Sequence, residues 1–247
     1  MKKSDIKSFL FPVILAALIG PLSANAVSLP YSNDFSSDVD DFTAATSGNY
    51  KMLDGAYRYD DGYGGASRVA LLDIPEIGGT ITDFTMSTTL SATDVDGDGS
   101  FGFALFSENV ITTTENIIAD WSPNNLLRIH NAYGSGEDLE TLTTTDVTFA
   151  DDAEYTLTAT GHISGTSLDL TLDISDGSDT ESISVSGIDV STYLSNPYFG
   201  YRTYSPAAHE LIVDYDNLSI IPEPSTAAAL LGGLSLGMVL LRRRKNA

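Results

Sequence analysis

The 247-residue chain contains no cysteine, one tryptophan and three histidines, and only twelve lysines and arginines against thirty-four aspartates and glutamates. Without thiols there is no disulfide and no thiolate metal site, so a folded domain must rest on apolar packing, helped at most by an oxygen-bound cation such as calcium. The shortage of cations excludes nucleic acid as a partner, because phosphate backbones are held by lysine and arginine displacing counterions. Long apolar runs are also scarce. The two that exist, Phe9 to Ile19 and Ala227 to Leu241, lie near the ends of the chain and both fall short of the roughly 20 residues that span a bilayer comfortably.

Both ends read as addresses. Lys2, Lys3 and Lys7 precede the first apolar run, Gly20-Pro21 breaks it, and Ala24-Asn25-Ala26 offers small residues for cleavage. This is the layout of a secretory signal peptide over residues 1–26, which predicts handling by secretion machinery and signal peptidase and a mature chain from Val27. At the other end Pro222-Glu223-Pro224-Ser225 leads into the second apolar run, which closes on Arg242, Arg243, Arg244 and Lys245. Two prolines end whatever strand precedes them. The four cations form a basic stop on the cytoplasmic face of a short, marginal membrane helix. Three glycines and the lack of a polar stripe argue against a surface helix of the folded domain.

The Pro222-Glu223-Pro224 tripeptide, the apolar run and the Arg cluster resemble the PEP-CTERM sorting tail of exported bacterial proteins. The resemblance implies recognition by an exosortase, a membrane protease or transpeptidase that removes such tails during delivery to the envelope. It covers residues 220–247 and is silent on what the cargo does.

Between the two signals, Val27 to Ser219 keeps five basic and thirty-two acidic residues, a formal charge of −27. Apolar residues alternate with polar ones through this region: Leu168, Leu170, Leu172 and Ile174 against Ser167, Asp169, Thr171 and Asp173; Phe84, Met86 and Leu90 against Asp83, Thr85 and Thr89. A period of two is that of a strand with one wet face. The separators are rich in turn dipeptides such as Asp96-Gly97, Asp98-Gly99 and Asp176-Gly177. About ten short strands with no internal helix predict a single all-β domain over 27–219, a jelly-roll β-sandwich.

Strand order resembles the concanavalin A-like, laminin-G-like family, on Tyr31-Ser32-Asn33-Asp34-Phe35 at the opening, Phe101-Gly102-Phe103-Ala104-Leu105-Phe106 in the middle and Asp214-Tyr215-Asp216-Asn217-Leu218 at the close. The resemblance implies that the last strand packs beside the first.

Candidate sites are few. Asp94, Asp96 and Asp98 with Gly99 reproduce the first half of an EF-hand loop, a candidate calcium site, although the bidentate glutamate expected at the twelfth position is replaced by Leu105. The alternative is an acidic hairpin. Trp121, in Asp120-Trp121-Ser122-Pro123-Asn124-Asn125, either covers one end of the core or offers its ring to a sugar; Tyr57 and Tyr59, two apart, read as core, with Tyr63 nearby. Glu137-Asp138-Leu139-Glu140 is the densest cluster containing glutamates and reads as a solvated loop rather than the two opposed acids of a glycosidase. His130, His162 and His209 lack metal-ligand spacing, and no serine occupies a nucleophile elbow. The expectation is an exported envelope or extracellular-matrix protein, structural or glycan-binding rather than enzymatic. The alternatives are a secreted polysaccharide-cleaving enzyme of the same fold and a calcium-stabilised matrix protein with no ligand.

Overall fold

The computed structural model describes residues 27–37, 39–44, 49–60, 66–94, 99–107, 116–131, 137–195, 197–206 and 211–223. They form fifteen strands: β1 (Tyr31–Asn33), β2 (Thr43–Ala44), β3 (Tyr50–Leu53), β4 (Ala56–Asp60), β5 (Ala66–Asp73), β6 (Asp83–Asp94), β7 (Ser100–Ser107), β8 (Ile117–Ser122), β9 (Leu126–Asn131), β10 (Glu137–Thr143), β11 (Glu154–Ser164), β12 (Ser167–Ser175), β13 (Thr180–Asp189), β14 (Tyr198–Ser205) and β15 (Leu211–Pro222). Eight make one antiparallel sheet in the order β13-β12-β11-β6-β15-β4-β3, with β1 also paired to β15; seven make the other, β10-β9-β8-β7-β14-β5-β2. Among the described residues no helix is long and apolar enough to cross a membrane.

The alternation seen in the sequence becomes the two faces of the eight-stranded sheet. Along β12 the leucines and Ile174 are buried while Asp169 is exposed, and β11 repeats the pattern with Tyr155, Leu157, Ala159 and Ile163 inward. These inward residues meet Phe101, Phe103, Leu105, Trp121, Phe199 and Tyr201 of the facing sheet in one continuous core. Tyr57 and Tyr59 belong to it, 2% and 0% exposed. The opening and closing segments pair as the strand-order resemblance implied, with Ser32 opposite Ser219 and Asn33 opposite Leu218.

Strands β7 and β8 depart from alternation because both of their faces are buried. Two glycines make this sheet possible. A Cβ at Gly102 would collide with the Ala119 carbonyl and the Asp120 Cα, and one at Gly200 would collide with the Ala70 carbonyl. Each neighbouring strand therefore approaches closer than any side chain would allow.

The last strand runs past Ser219, the expected end of the domain. Ile221 and Pro222 stay in register with Thr85 and Phe84, and the Glu223 amide donates to the Asp83 carbonyl at 2.9 Å. Proline is tolerated there because it ends the strand.

Candidate functional site

The eight-stranded sheet carries a hollow of about 510 Å³ where β1 lies against β15, walled by Tyr31, Asn33, Asp34, Asp41, Asn217 and Ser219 among others. A bulge makes it: the register of β15 on β6 slips between Asp216 and Ser219. Asn217 takes φ +51° there, a left-handed conformation that asparagine accepts more readily than most residues. Its side-chain amide donates to Thr89 Oγ1 at 3.2 Å and to Asp216 Oδ2 at 3.1 Å, so it is held in place. On the opposite wall Asn33 accepts from the Phe35 amide at 2.7 Å, a local turn that directs the chain away from the sheet. Asn33 Nδ2 donates to the Tyr31 hydroxyl at 3.2 Å, which in turn donates to Asp41 Oδ2 at 3.3 Å. Hydrogen bonds from the Ser36 side chain and amide hold the Asp34 carboxyl below its ordinary pKa, so it is an acceptor only at neutral pH. The hollow thus presents fixed amides, carboxylates and a phenol to solvent.

A smaller groove of about 210 Å³ lies on the outward side of the same sheet, lined by Asp83, His162, Asp169, Thr171, Ser184 and Glu223 among others. His162 Nδ1 is 2.6 Å from Asp83 Oδ1, and Thr82 Oγ1 donates to Asp83 Oδ2 at 2.7 Å. These two hydrogen bonds, Thr82 first, hold the Asp83 carboxyl below its usual range. Glu223 accepts from Thr85 Oγ1 at 2.8 Å.

The outward face of the seven-stranded sheet holds a charged row. Arg202 on β14, Gly102 on β7, Asp120 on β8 and Arg128 on β9 are direct neighbours in register. With no side chain at Gly102, Arg202 Nη1 reaches Asp120 Oδ2 across β7 at 2.6 Å. Arg128 grips the same carboxylate through two bonds of 3.0 Å, and His130 Nε2 lies 3.6 Å away, beyond hydrogen-bond reach. Burial by itself would raise the Asp120 carboxyl. The two guanidiniums beside it outweigh that and hold it well below the carboxylate range. A carboxylate so strongly ionised cannot serve as the proton donor of a glycosidase; its role is to neutralise Arg202, which is 8% exposed.

No family model matches the chain, and no curated protein matches its sequence. Solved structures do. The Lotus tetragonolobus seed lectin superposes with a TM-score of 0.59 at 13% identity, covering 78% of this chain and 97% of the lectin. Lectin II from Ulex europaeus gives 0.58 at 13% identity with the same coverages. The carbohydrate-binding module CBM66 from Bacillus subtilis gives 0.51 at 11% identity, over 79% of this chain and 99% of the module. The chain has the lectin-type sandwich fold.

On this lectin-type sandwich Trp121 takes the first of its two expected roles, covering the core, and the ligand-platform alternative is corrected. Trp121 lies on β8, fully buried, opposite Phe101 and Leu127, with its ring edge-on to Phe101 at 6.0 Å and to Tyr155 at 4.7 Å. The supposed loop is a strand whose turn begins only at Pro123. Glu137–Thr143 is likewise strand β10 rather than a solvated loop, paired to β9 with a bulge between Asp138 and Glu140, because Leu139 and Leu142 pack on the core. Asp94 ends β6 opposite Leu211, while Asp96 and Asp98 lie outside the described residues, as do Tyr63, His209, the signal peptide, Pro224 and Arg242, Arg243, Arg244 and Lys245. Among the described residues no cluster of three or more His, Asp or Glu is placed to hold a metal ion. The hollow was not read from the sequence as a site. Its walls are the opening Tyr31–Phe35 and closing Asp214–Leu218 segments that carried the fold resemblance, and a cluster of amides and carboxylates at both ends of one domain was the signal available.

Proposed function

We propose that the protein is an exported glycan-binding protein of the cell envelope or extracellular matrix, and that the hollow between β1 and β15 receives the sugar. One observation carries this reading. The hollow is open to solvent and lined by side chains already fixed by neighbours, with Asn33, Asp34, Asp41 and Asn217 suited to the paired hydroxyls of a pyranose. Such groups lose little freedom on binding. That the structural neighbours include lectins and a carbohydrate-binding module supports the same class of ligand.

The function is binding without cleavage. A thermal-shift panel of polysaccharides tests it, with reducing ends assayed in the same wells: a neutral glycan raises the melting temperature and releases no sugar. Tyr31→Phe breaks the link between Asn33 and Asp41, Asp41→Asn removes the carboxylate, and each abolishes the shift while leaving the unliganded melting temperature within about 2 °C. New reducing ends, or a shift untouched by both variants, would overturn the reading.

Delivery follows from the tail. Pro222, Glu223 and Pro224 form the sorting signal for an exosortase-type protease, with Arg242, Arg243, Arg244 and Lys245 as the basic stop, after secretion guided by residues 1–26. Mass spectrometry of the envelope form should find a chain that starts at Val27 and lacks the apolar run; an intact tail there contradicts the proposal. We propose further that Asp94, Asp96 and Asp98 bind calcium: the melting temperature should rise with calcium over EDTA and lose that response in the Asp96→Ala, Asp98→Ala double variant.

A further inference from the structure

The outward face of the eight-stranded sheet beyond the hollow is rich in hydroxyl side chains. Strands β6, β11, β12 and β13 contain no lysine or arginine. Apart from Glu154 and His162 on β11, their outward positions are mainly serines, threonines and aspartates in register. Ser32, Ser219, Ser87, Thr158, Asp173 and Ser182 form one unbroken row from β1 to β13. The next row, Thr85, Thr160, Thr171 and Ser184, runs beside it.

These side chains are ordered by one another. Ser87 and Thr158 share a hydrogen bond of 3.1 Å, Thr85 and Thr160 one of 3.4 Å, and Thr171 and Ser184 one of 2.8 Å, while Ser182 donates to Asp173. Ser32 and Ser219 also line the hollow, and Thr171 and Ser184 the groove, so the rows join the two depressions of this face.

We propose that this face binds a neutral, unbranched polysaccharide laid across the strands, with one part of the chain in the hollow and the rest along the hydroxyl rows. The inference rests on the glycan reading of the hollow and extends it to the length and charge of the ligand. Length follows from geometry: five strand-to-strand steps separate β1 from β13, about 24 Å at the usual spacing, the reach of several linked pyranose rings. Charge follows from composition. Asp83, Asp169, Asp173, Asp216 and Glu223 border or enter the rows and would repel a uronate, while their oxygens accept hydrogen bonds from sugar hydroxyls. Short hydroxyl side chains fixed by their neighbours give many weak, pre-ordered contacts, so affinity must accumulate along the ligand.

The experiment is a calorimetric titration of the protein with neutral gluco- and manno-oligosaccharides from dimer to hexamer, and with oligogalacturonates of the same lengths. The hexamer of the recognised neutral sugar binds at least tenfold more tightly than its dimer, and the oligogalacturonates bind at least tenfold more weakly than their neutral counterparts. Thr158→Val with Thr171→Val, which keeps shape and strand preference, brings the hexamer to the affinity of the dimer and leaves the dimer unchanged. Length-independent affinity, a length dependence that survives the double variant, or equal binding of the uronates overturns the inference and leaves the hollow standing. Failure of every oligosaccharide to bind overturns both.

Discussion

Asp120 shows how one residue can be misread from sequence and decided by its surroundings. In the linear chain it is an acid beside a tryptophan in a polar stretch. In the fold it is 0% exposed and clasped by Arg128 and Arg202, two of the five cations between Val27 and Ser219. Removing its charge strands two guanidiniums, one of them deeply buried, so Asp120→Asn should cost about 3–5 kcal/mol by chemical denaturation. Because the folded carboxyl is depressed relative to the unfolded chain, its stabilisation is complete above about pH 4 and is lost as the pH falls from there through the folded value. The wild type should therefore lose stability below about pH 4 with a steeper slope than Asp120→Asn; equal slopes would refute the assignment. No sequence pattern announces this contact, since Arg202 and Asp120 are 82 residues apart and meet only because Gly102 leaves the path clear. Trp121 belongs to the same lesson. Its inward direction follows from the register of β8, and truncation to alanine should cost about 3–5 kcal/mol while sparing glycan affinity.

At the scale of elements, strands wet on one face were legible from alternation, whereas of those buried on both faces β7 was legible through its aromatic, glycine-punctuated run. Strands β11 and β12 were readable because each has a wet side, and alternation marks such strands. Strand β8 was not, because both of its faces are covered and Ile117-Ile118-Ala119-Asp120 shows no period. The hollow was invisible for a different reason. It depends on a one-strand bulge in β15 and on β1 lying beside it, a contact between positions almost 190 residues apart. Asn217 controls the bulge through its φ of +51°. Asn217→Gly should be tolerated in stability, whereas Asn217→Val, with a branched Cβ in the left-handed region, should cost about 1–2 kcal/mol or more and weaken glycan binding. Equal stability of the two variants would mean that the bulge is not set by this residue.

The whole molecule is governed by its charge. A domain carrying −27 with five cations repels itself and gains from screening. Its melting temperature should rise by several degrees between about 10 mM and 500 mM sodium chloride, as the Debye length contracts from about 30 Å to under 10 Å. A flat response would show that local pairs such as Arg58 with Asp214 already offset the repulsion. The same excess of acid suits the proposed ligand, which carries no anionic groups. The sandwich itself was legible from period and turns, and the identity of its working face was not, because strand periodicity tells inside from outside and cannot distinguish one outward face from another.

The most direct test of the account is hydrogen–deuterium exchange of the protein with and without a glycan that raises its melting temperature. The account predicts slowed exchange in Tyr31–Asp41 and Asp216–Ser219, with little change along β8 and β9. Protection centred instead on the outward face of the seven-stranded sheet, around Gly102, Asp120 and Arg128, would contradict it.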